Sequence, residues 1–298
     1  MAKPDKTPKP AMAVQPELPP EPVEIPLRVS VIVIARNQVD ALRRTLASIE
    51  RSVPREMLEI LVVDAGSADA TRDIETSYPA IKLLRTPKNF GFAKSANIGT
   101  RTAKGEFLFF LPPGVEVQPD TVAQLVTRLD AESDVTVVCP QQCNADGEAV
   151  GRCFALPTPA ELSARVSGGS WTMAAGNEFP AGAPMMIRRQ SIVQINYLDE
   201  KRYGQFGADL DLFHQVKRGG KRVSIAQDVP VLVASRPTEL AFGSDPVDIA
   251  NGAATYTGKW FGFGAGLAMR LKFALARLGS LDFGGFIGVL SGSKTDGQ

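Results

Sequence analysis

Four short apolar runs govern what this 298-residue chain can become. Val29-Ser-Val-Ile-Val-Ile34, Ile60-Leu-Val-Val63, Ile81-Lys-Leu-Leu84 and Phe107-Leu-Phe-Phe-Leu111 are nearly continuous and rich in β-branched or aromatic residues. That is the pattern of strands buried on both faces. Segments of helical length separate them. Asp40 can cap a helix with Leu42, Leu46 and Ile49 on one face, and Ser67 or Asp69 starts another that Pro79 closes. A third helix is expected from Phe92 to Ala103, ended by Gly105. Strands alternating with helices imply right-handed βαβ units and an α/β fold: a mainly parallel, Rossmann-like sheet flanked by helices.

The second half is less regular. Thr121 to Leu129 is amphipathic, Val135 to Val138 and Pro184 to Ile187 read as strands, and residues 144–180 read as long loops. A helix is expected from Ala208 to Lys217, then two short strands at Val223 to Ile225 and Val229 to Val233. Residues 1–27 mix proline with lysine and glutamate and are expected to form a disordered arm. The expected organisation is thus this arm, a single domain over residues 28–240, and a helical tail over 241–298 whose last residues, from Ser291, are disordered.

A net charge of +1 supplies no global field for nucleic acid, which is excluded as a partner. Three cysteines, Cys139, Cys143 and Cys153, without CxxC spacing point to a reducing compartment and to neither disulfides nor zinc. The N-terminus has no signal-peptide pattern, and no run of about 18 apolar residues marks a membrane span. The expected location is cytoplasmic. The tail keeps peripheral contact with the inner face of the membrane open, because Leu267, Leu271, Phe273, Leu275 and Leu278 interleave with Arg270, Lys272 and Arg277. Packing of that helix on the domain or on another subunit is the alternative.

Ligands of open parallel sheets bind at the carboxyl ends of the strands. The loops there are Ala35-Arg-Asn37, Asp64-Ala-Gly-Ser67, Lys88-Asn-Phe-Gly91 and Pro112-Pro-Gly114. Dinucleotide binding needs a glycine-rich turn after the first strand, and Ala35-Arg-Asn-Gln-Val-Asp40 has no glycine. A lone histidine, His214, argues against a His-based metal site or a serine triad. Asp64 ends an apolar strand and suits a base or a ribose, or else a turn.

Four segments, Val29 to Asn37, Glu59 to Thr71, Asn89-Phe-Gly-Phe-Ala-Lys-Ser-Ala-Asn-Ile-Gly99 and Ala103 to Leu111, resemble in order and spacing a family 2 glycosyltransferase of rhamnosyltransferase-like type. The resemblance extends over about residues 29–235 and implies the GT-A fold. It implies that Ala35, Arg36 and Asn37 line the base, that Asp64 accepts from a base N–H of a donor such as UDP-sugar, and that Asn89 and Gly91 lie beside the nucleotide. Asn97 either holds this segment in place or has a purely structural role. The family's Asp-x-Asp pair, which holds Mg²⁺ or Mn²⁺ on the diphosphate, is replaced by Leu111-Pro112-Pro113-Gly114, with Glu116 and Asp120 at other spacings. No metal ligand is therefore assigned. Tyr197 to Leu212 resembles the region of the family's catalytic carboxylate, with Ala208 replacing a glutamate and Asp209 and Asp211 retained. Asp209 would be the general base for an inverting transfer to a hydroxyl of a glycan or lipid-linked acceptor, or merely a charge favourable to a helix N-terminus. The family's late histidine is absent, and Arg236 is assigned to the diphosphate instead. A non-catalytic binding protein on the same fold is the alternative function; a nucleotidyltransferase lacks its glycine-rich, basic triphosphate loop.

Overall fold

A computed structural model of the chain describes residues 26–150, 153–167, 176, 178–180, 182–233 and 245–294. The strands are β1 (Val29–Ala35), β2 (Leu58–Asp64), β3 (Ile81–Arg85), β4 (Phe107–Phe110), β5 (Val115–Val117), β6 (Val135–Cys143), β7 (Met185–Arg188) and β8 (Arg222–Val233). They form one sheet in the order β3-β2-β1-β4-β7-β6-β8-β5. The half that begins the chain is parallel, as the alternation of strands and helices predicts. In the other half β7 runs antiparallel to β4 and β6, and β5 antiparallel to β8, so the sheet is mixed.

The helices are α1 (Val39–Ile49), α2 (Phe92–Thr102), α3 (Thr121–Ala131), α4 (Pro159–Val166), α5 (Arg189–Gln194), α6 (Ala208–Arg218), α7 (Pro246–Phe261), α8 (Phe263–Gly279) and α9 (Phe283–Ser291). Period-two alternation sorts the strand side chains onto two cores. Val29, Val31 and Val33 face Leu42, Leu46 and Leu125 on one side. Ile32, Leu61, Val63 and Leu108 face Ala93, Ala96, Leu210 and Phe213 on the other. That second core also takes in Ala250, Ala253, Tyr256, Met269 and Phe273, so α7 and α8 bury side chains in the same core, with α7 packed on α4 and α6 and α8 on α4 and α7.

Several local expectations are corrected. Asp40 does not cap α1; it lies in the first turn, while Asp69 Oδ2 reaches across to accept the Val39 N–H at 3.2 Å. The segment after Ser67 is a 3₁₀ helix, Ala70–Thr76, capped by Asp69. Asp120 occupies the position before α3, but its side chain accepts from Gln124 at 2.5 Å rather than from the backbone. The two late strands are one, β8, with a register shift against β6 between Pro140 and Gln141. Residues 144–180 are not loop throughout, since α4 lies within them. Ser291 still belongs to α9, and Ser293 donates to Gly288 O, which ties the chain down beyond it.

Candidate functional site

The site is built where the strands β1, β2 and β3 end. Parallel register sets Ala35 beside Asp64 and Asp64 beside Arg85. Asp64 has no exposed surface. Its Oδ1 accepts the Ser67 backbone N–H at 2.9 Å, closing the turn after β2. Its Oδ2 is buried and has no hydrogen-bond partner. Arg85 Nε stands 3.7 Å from that oxygen, in ion-pair but not hydrogen-bond range. A buried carboxylate oxygen with an open acceptor position is costly unless something donates to it. Arg85, at the end of β3, was invisible as a site residue because its strand signal is weak and its partner lies across the sheet.

The first three strand-end loops are bonded to one another. Asn37 has φ +52, a left-handed backbone that asparagine tolerates. Its Oδ1 accepts the Ala68 N–H at 2.7 Å, and its own N–H donates to Ser67 Oγ at 3.0 Å. Arg36 is half-buried beside it. Thr86 Oγ1 donates to Asp64 O at 3.1 Å and Thr86 N–H to the same oxygen at 2.9 Å, which joins the loops after β2 and β3.

Asn89 is buried, and its Oδ1 accepts the Gly91 N–H at 2.9 Å. Gly91 has φ +80, and a Cβ there would come 2.7 Å from Gly204 C. That close approach, with the Ala93 N–H donating to Gly204 O at 3.1 Å, brings the start of α2 against the loop that leads into α6. Asn97 clamps the same stretch one turn further on, donating to Leu198 O and accepting from Leu198 N–H. These two bonds tie the segment of α2 to the turn at Leu198.

Asp209 opens α6 at the end of this chain of contacts. It is half-buried by surface, yet protein atoms crowd its carboxylate, and burial raises its pKa above the ordinary aspartate value. Its Oδ1 accepts the Leu210 N–H at 2.8 Å, which opposes that rise. Asp211, two residues on, points elsewhere. It is buried and bonded to Lys259 Nζ (2.8 Å), Trp260 Nε1 (2.9 Å) and Gln215 Nε2 (3.0 Å), so it fastens α7 to α6.

Sequence reasoning missed Asp248. This buried residue of α7 accepts the backbone N–H groups of Gln205 (2.7 Å) and Phe206 (3.0 Å) through one carboxylate oxygen. It thereby holds the loop between Gly204 and Asp209. Tyr203 Oη and Gln205 Oε1, in or beside that loop, are buried without hydrogen-bond partners. Burial also raises the Tyr203 pKa, so its hydroxyl stays protonated and available as a donor. No local pattern signals Asp248, whose partners lie more than 40 residues away.

The segment after β4 does not fit a divalent ion. Leu111 is buried, Pro112 O accepts the Val115 N–H at 3.2 Å, and Gly114 N–H is engaged by Thr45 Oγ1 at 2.9 Å. Glu116 faces Arg44 at 3.9 Å. Among the described residues no group of three or more His, Cys, Asp or Glu is arranged to hold a metal. Arg236 lies outside the described residues.

Residues 30–176 match the family model described as Glycosyl transferase family 2. Among curated relatives, the uncharacterized glycosyltransferase Rv1514c of Mycobacterium tuberculosis is 32% identical over 110 residues, which is 36% of this chain and 42% of that protein. The dolichol-phosphate mannosyltransferase of Pyrococcus furiosus is 24% identical over 115 residues, 37% of this chain and 32% of the relative. The matches therefore span less than half the length of these relatives. Two solved structures share the fold. GalNAc-T7 with UDP, GalNAc and Mn²⁺ superposes with a TM-score of 0.59 at 20% identity, covering 80% of this chain and 48% of the other. Staphylococcus aureus TarS 1–349 in complex with UDP-GlcNAc gives 0.56 at 17% identity, covering 78% and 66%.

Proposed function

We propose that this chain, which belongs to glycosyl transferase family 2 and has the GT-A fold, moves a sugar from a nucleotide-diphosphate donor to a hydroxyl acceptor. The observation that carries the reading is the buried Asp64 Oδ2 with no donor, at the carboxyl end of β2. A uracil N–H would supply the missing hydrogen bond, with Ala35, Arg36 and Asn37 lining the base and Asn89 and Gly91 beside the ribose and diphosphate. UDP is therefore the donor nucleotide of choice, a reading also supported by the UDP in GalNAc-T7 and the UDP-GlcNAc in TarS.

Asp209 acts as the general base. Its raised pKa suits a group that must take a proton from a hydroxyl near neutral pH. The acceptor oxygen loses its proton to Asp209 and attacks the sugar C1 in line. The bond from C1 to the diphosphate oxygen breaks, the nucleoside diphosphate leaves, and the configuration at C1 inverts. No step is routed through Mg²⁺ or Mn²⁺, because Leu111 to Gly114 offer no carboxylate. Arg236 is assigned the charge that develops on the diphosphate. The acceptor is a glycan or a lipid-linked saccharide of envelope or surface polysaccharide synthesis, and the chain works at the cytoplasmic side with its 260–280 region against the membrane surface.

Calorimetric titration with UDP, with and without Mn²⁺, tests this on the protein and an Asp64→Ala variant. Loss of a hydrogen bond to a charged group weakens binding by about 1.5–3 kcal/mol, or roughly tenfold or more. Equal affinity in the variant refutes the nucleotide site. UDP binding without sugar transfer to any acceptor, or donor hydrolysis, would leave a non-catalytic binding protein.

A further inference from the structure

The C-terminal end of α6 and the tip where α7 turns into α8 border an open surface cleft of about 500 Å³, lined by His214, Lys217, Arg218, Lys259 and Trp260. Its aromatic wall is fixed. The His214 ring stacks on Trp260 at 3.8 Å between centroids, its Nδ1 lies 2.9 Å from Tyr256 Oη, and Trp260 is itself bonded to Asp211. Three cations meet there. Lys217 stands 2.7 Å from Glu178 and Lys259 2.8 Å from Asp211. Arg218 is exposed and faces no carboxylate in ion-pair range among the described residues. The cleft is positive on balance.

Its position gives that charge a meaning. Phe261 lies 6.3 Å from the His214 ring, and Phe263, one glycine further, is 81% exposed. Leu27, Val53 and Val193 apart, every large exposed hydrophobic among the described residues lies between Phe261 and Leu290. On α8 they fall at Phe263, Leu267, Leu271, Leu275 and Leu278, a stripe along one helical face. α9 has no charged residue and adds Phe283, Ile287 and Leu290. Within α8, Arg270 donates to Val289 O and Arg277 pairs with Asp282, while Lys272 stays exposed and bonds only the Ser163 hydroxyl. Lys272 and the cluster at the hairpin tip are thus the cations beside the stripe that are placed to meet headgroups. An apolar stripe that ends at a cationic cleft is complementary to an anionic lipid surface, whose acyl boundary takes the stripe and whose phosphates take the charge. A second copy of the chain would cover the stripe and leave the cleft's charge unanswered.

We propose that the cleft binds the phosphate of an anionic phospholipid headgroup while Phe263, Leu267, Leu271 and Leu275 enter the acyl boundary. This rests on the reading that the 260–280 region meets a membrane. The cleft sits at one end of α6 and Asp209 at the other, about 12 Å along the helix.

Co-sedimentation of the full chain with phosphatidylcholine vesicles, and with vesicles that also hold phosphatidylglycerol, tests the proposal. The chain is expected to bind both, and the anionic ones more tightly. Arg218→Glu should lose roughly fivefold or more on anionic vesicles and nothing on neutral ones, since one surface cation contributes about that factor. Phe263→Ser should weaken both. Both side chains are exposed, so thermal melting should fall only slightly, through the cost of an acidic residue at the C-terminal end of α6. If Arg218→Glu equals the parent on anionic vesicles, the headgroup site is wrong while membrane contact stands. If the parent binds no vesicles, or sediments as a stable dimer that Phe263→Ser dissociates, the membrane reading itself fails.

Discussion

Replacing Asp248 by alanine removes the one carboxylate oxygen that accepts the N–H groups of Gln205 and Phe206. Both bonds are buried, and Asp248 is 2% exposed, so water has little access to replace them. Each orphaned donor costs about 1–3 kcal/mol, so about 2–6 kcal/mol is expected in all. That is a large share of the roughly 5–15 kcal/mol that holds a domain folded. With a urea slope of about 3 kcal/mol/M, a loss of 4 kcal/mol lowers the midpoint by about 1.3 M. Asp248→Asn keeps an oxygen that can accept both bonds and loses only their ionic strengthening, so its cost is smaller, about 1–2 kcal/mol. Urea unfolding followed by tryptophan fluorescence ranks the three proteins. Turnover adds a second readout, because the loop leads directly into Asp209: the asparagine variant should lose kcat more than UDP affinity. An alanine variant with the parent's midpoint would refute the reasoning, as would an asparagine variant no more stable than alanine.

Asp209→Asn is expected to lower turnover by roughly 10²- to 10⁴-fold with UDP affinity unchanged, measured by donor consumption and calorimetry. Because the fold raises the Asp209 pKa, the ionised form is the disfavoured one. The parent should therefore lose stability relative to Asp209→Asn as pH rises above the ordinary aspartate value of about 4, and the difference should vanish below it. Gly91→Ala places a side chain at φ +80 and 2.7 Å from Gly204 C; about 1–3 kcal/mol of backbone strain alone should appear in its urea midpoint, together with weakened UDP binding. Gly252→Ala on α7 would bring a Cβ 2.4 Å from Phe206 O, so activity and midpoint should both fall unless α7 shifts. Burial lowers the His214 pKa, so its stabilising contribution is complete above the ordinary value of about 6.5 and is lost progressively as pH falls below it toward the lower folded-state pKa. A His214→Phe variant should lack this loss in urea midpoints taken across that range.

The strands that build the site were legible because burial on both faces leaves a local mark. Val29 to Ile34 and Ile60 to Val63 must be apolar whatever they pack against, and parallel pairing then aligns Ala35, Asp64 and Arg85 at one edge. Asp64 followed as the first polar residue after such a run. The sequence by itself thus determined the parallel half of the sheet and the strand end at which Asp64 stands. What it left open depended on partners far along the chain. Only the resemblance separates Asp209 from Asp211 in sequence, and it is the packing of α7 on α6 that turns Asp211 toward Lys259 and Trp260. Arg270 and Arg277 read as surface cations until α9 and its turn supply Val289 O and Asp282. Asp248 has no signature at all, since its partners are backbone N–H groups whose orphan state exists only once the loop before α6 is buried. Periodicity records which side of an element is buried; tertiary structure alone decides against what, because that choice is made between segments whose sequences carry no record of each other.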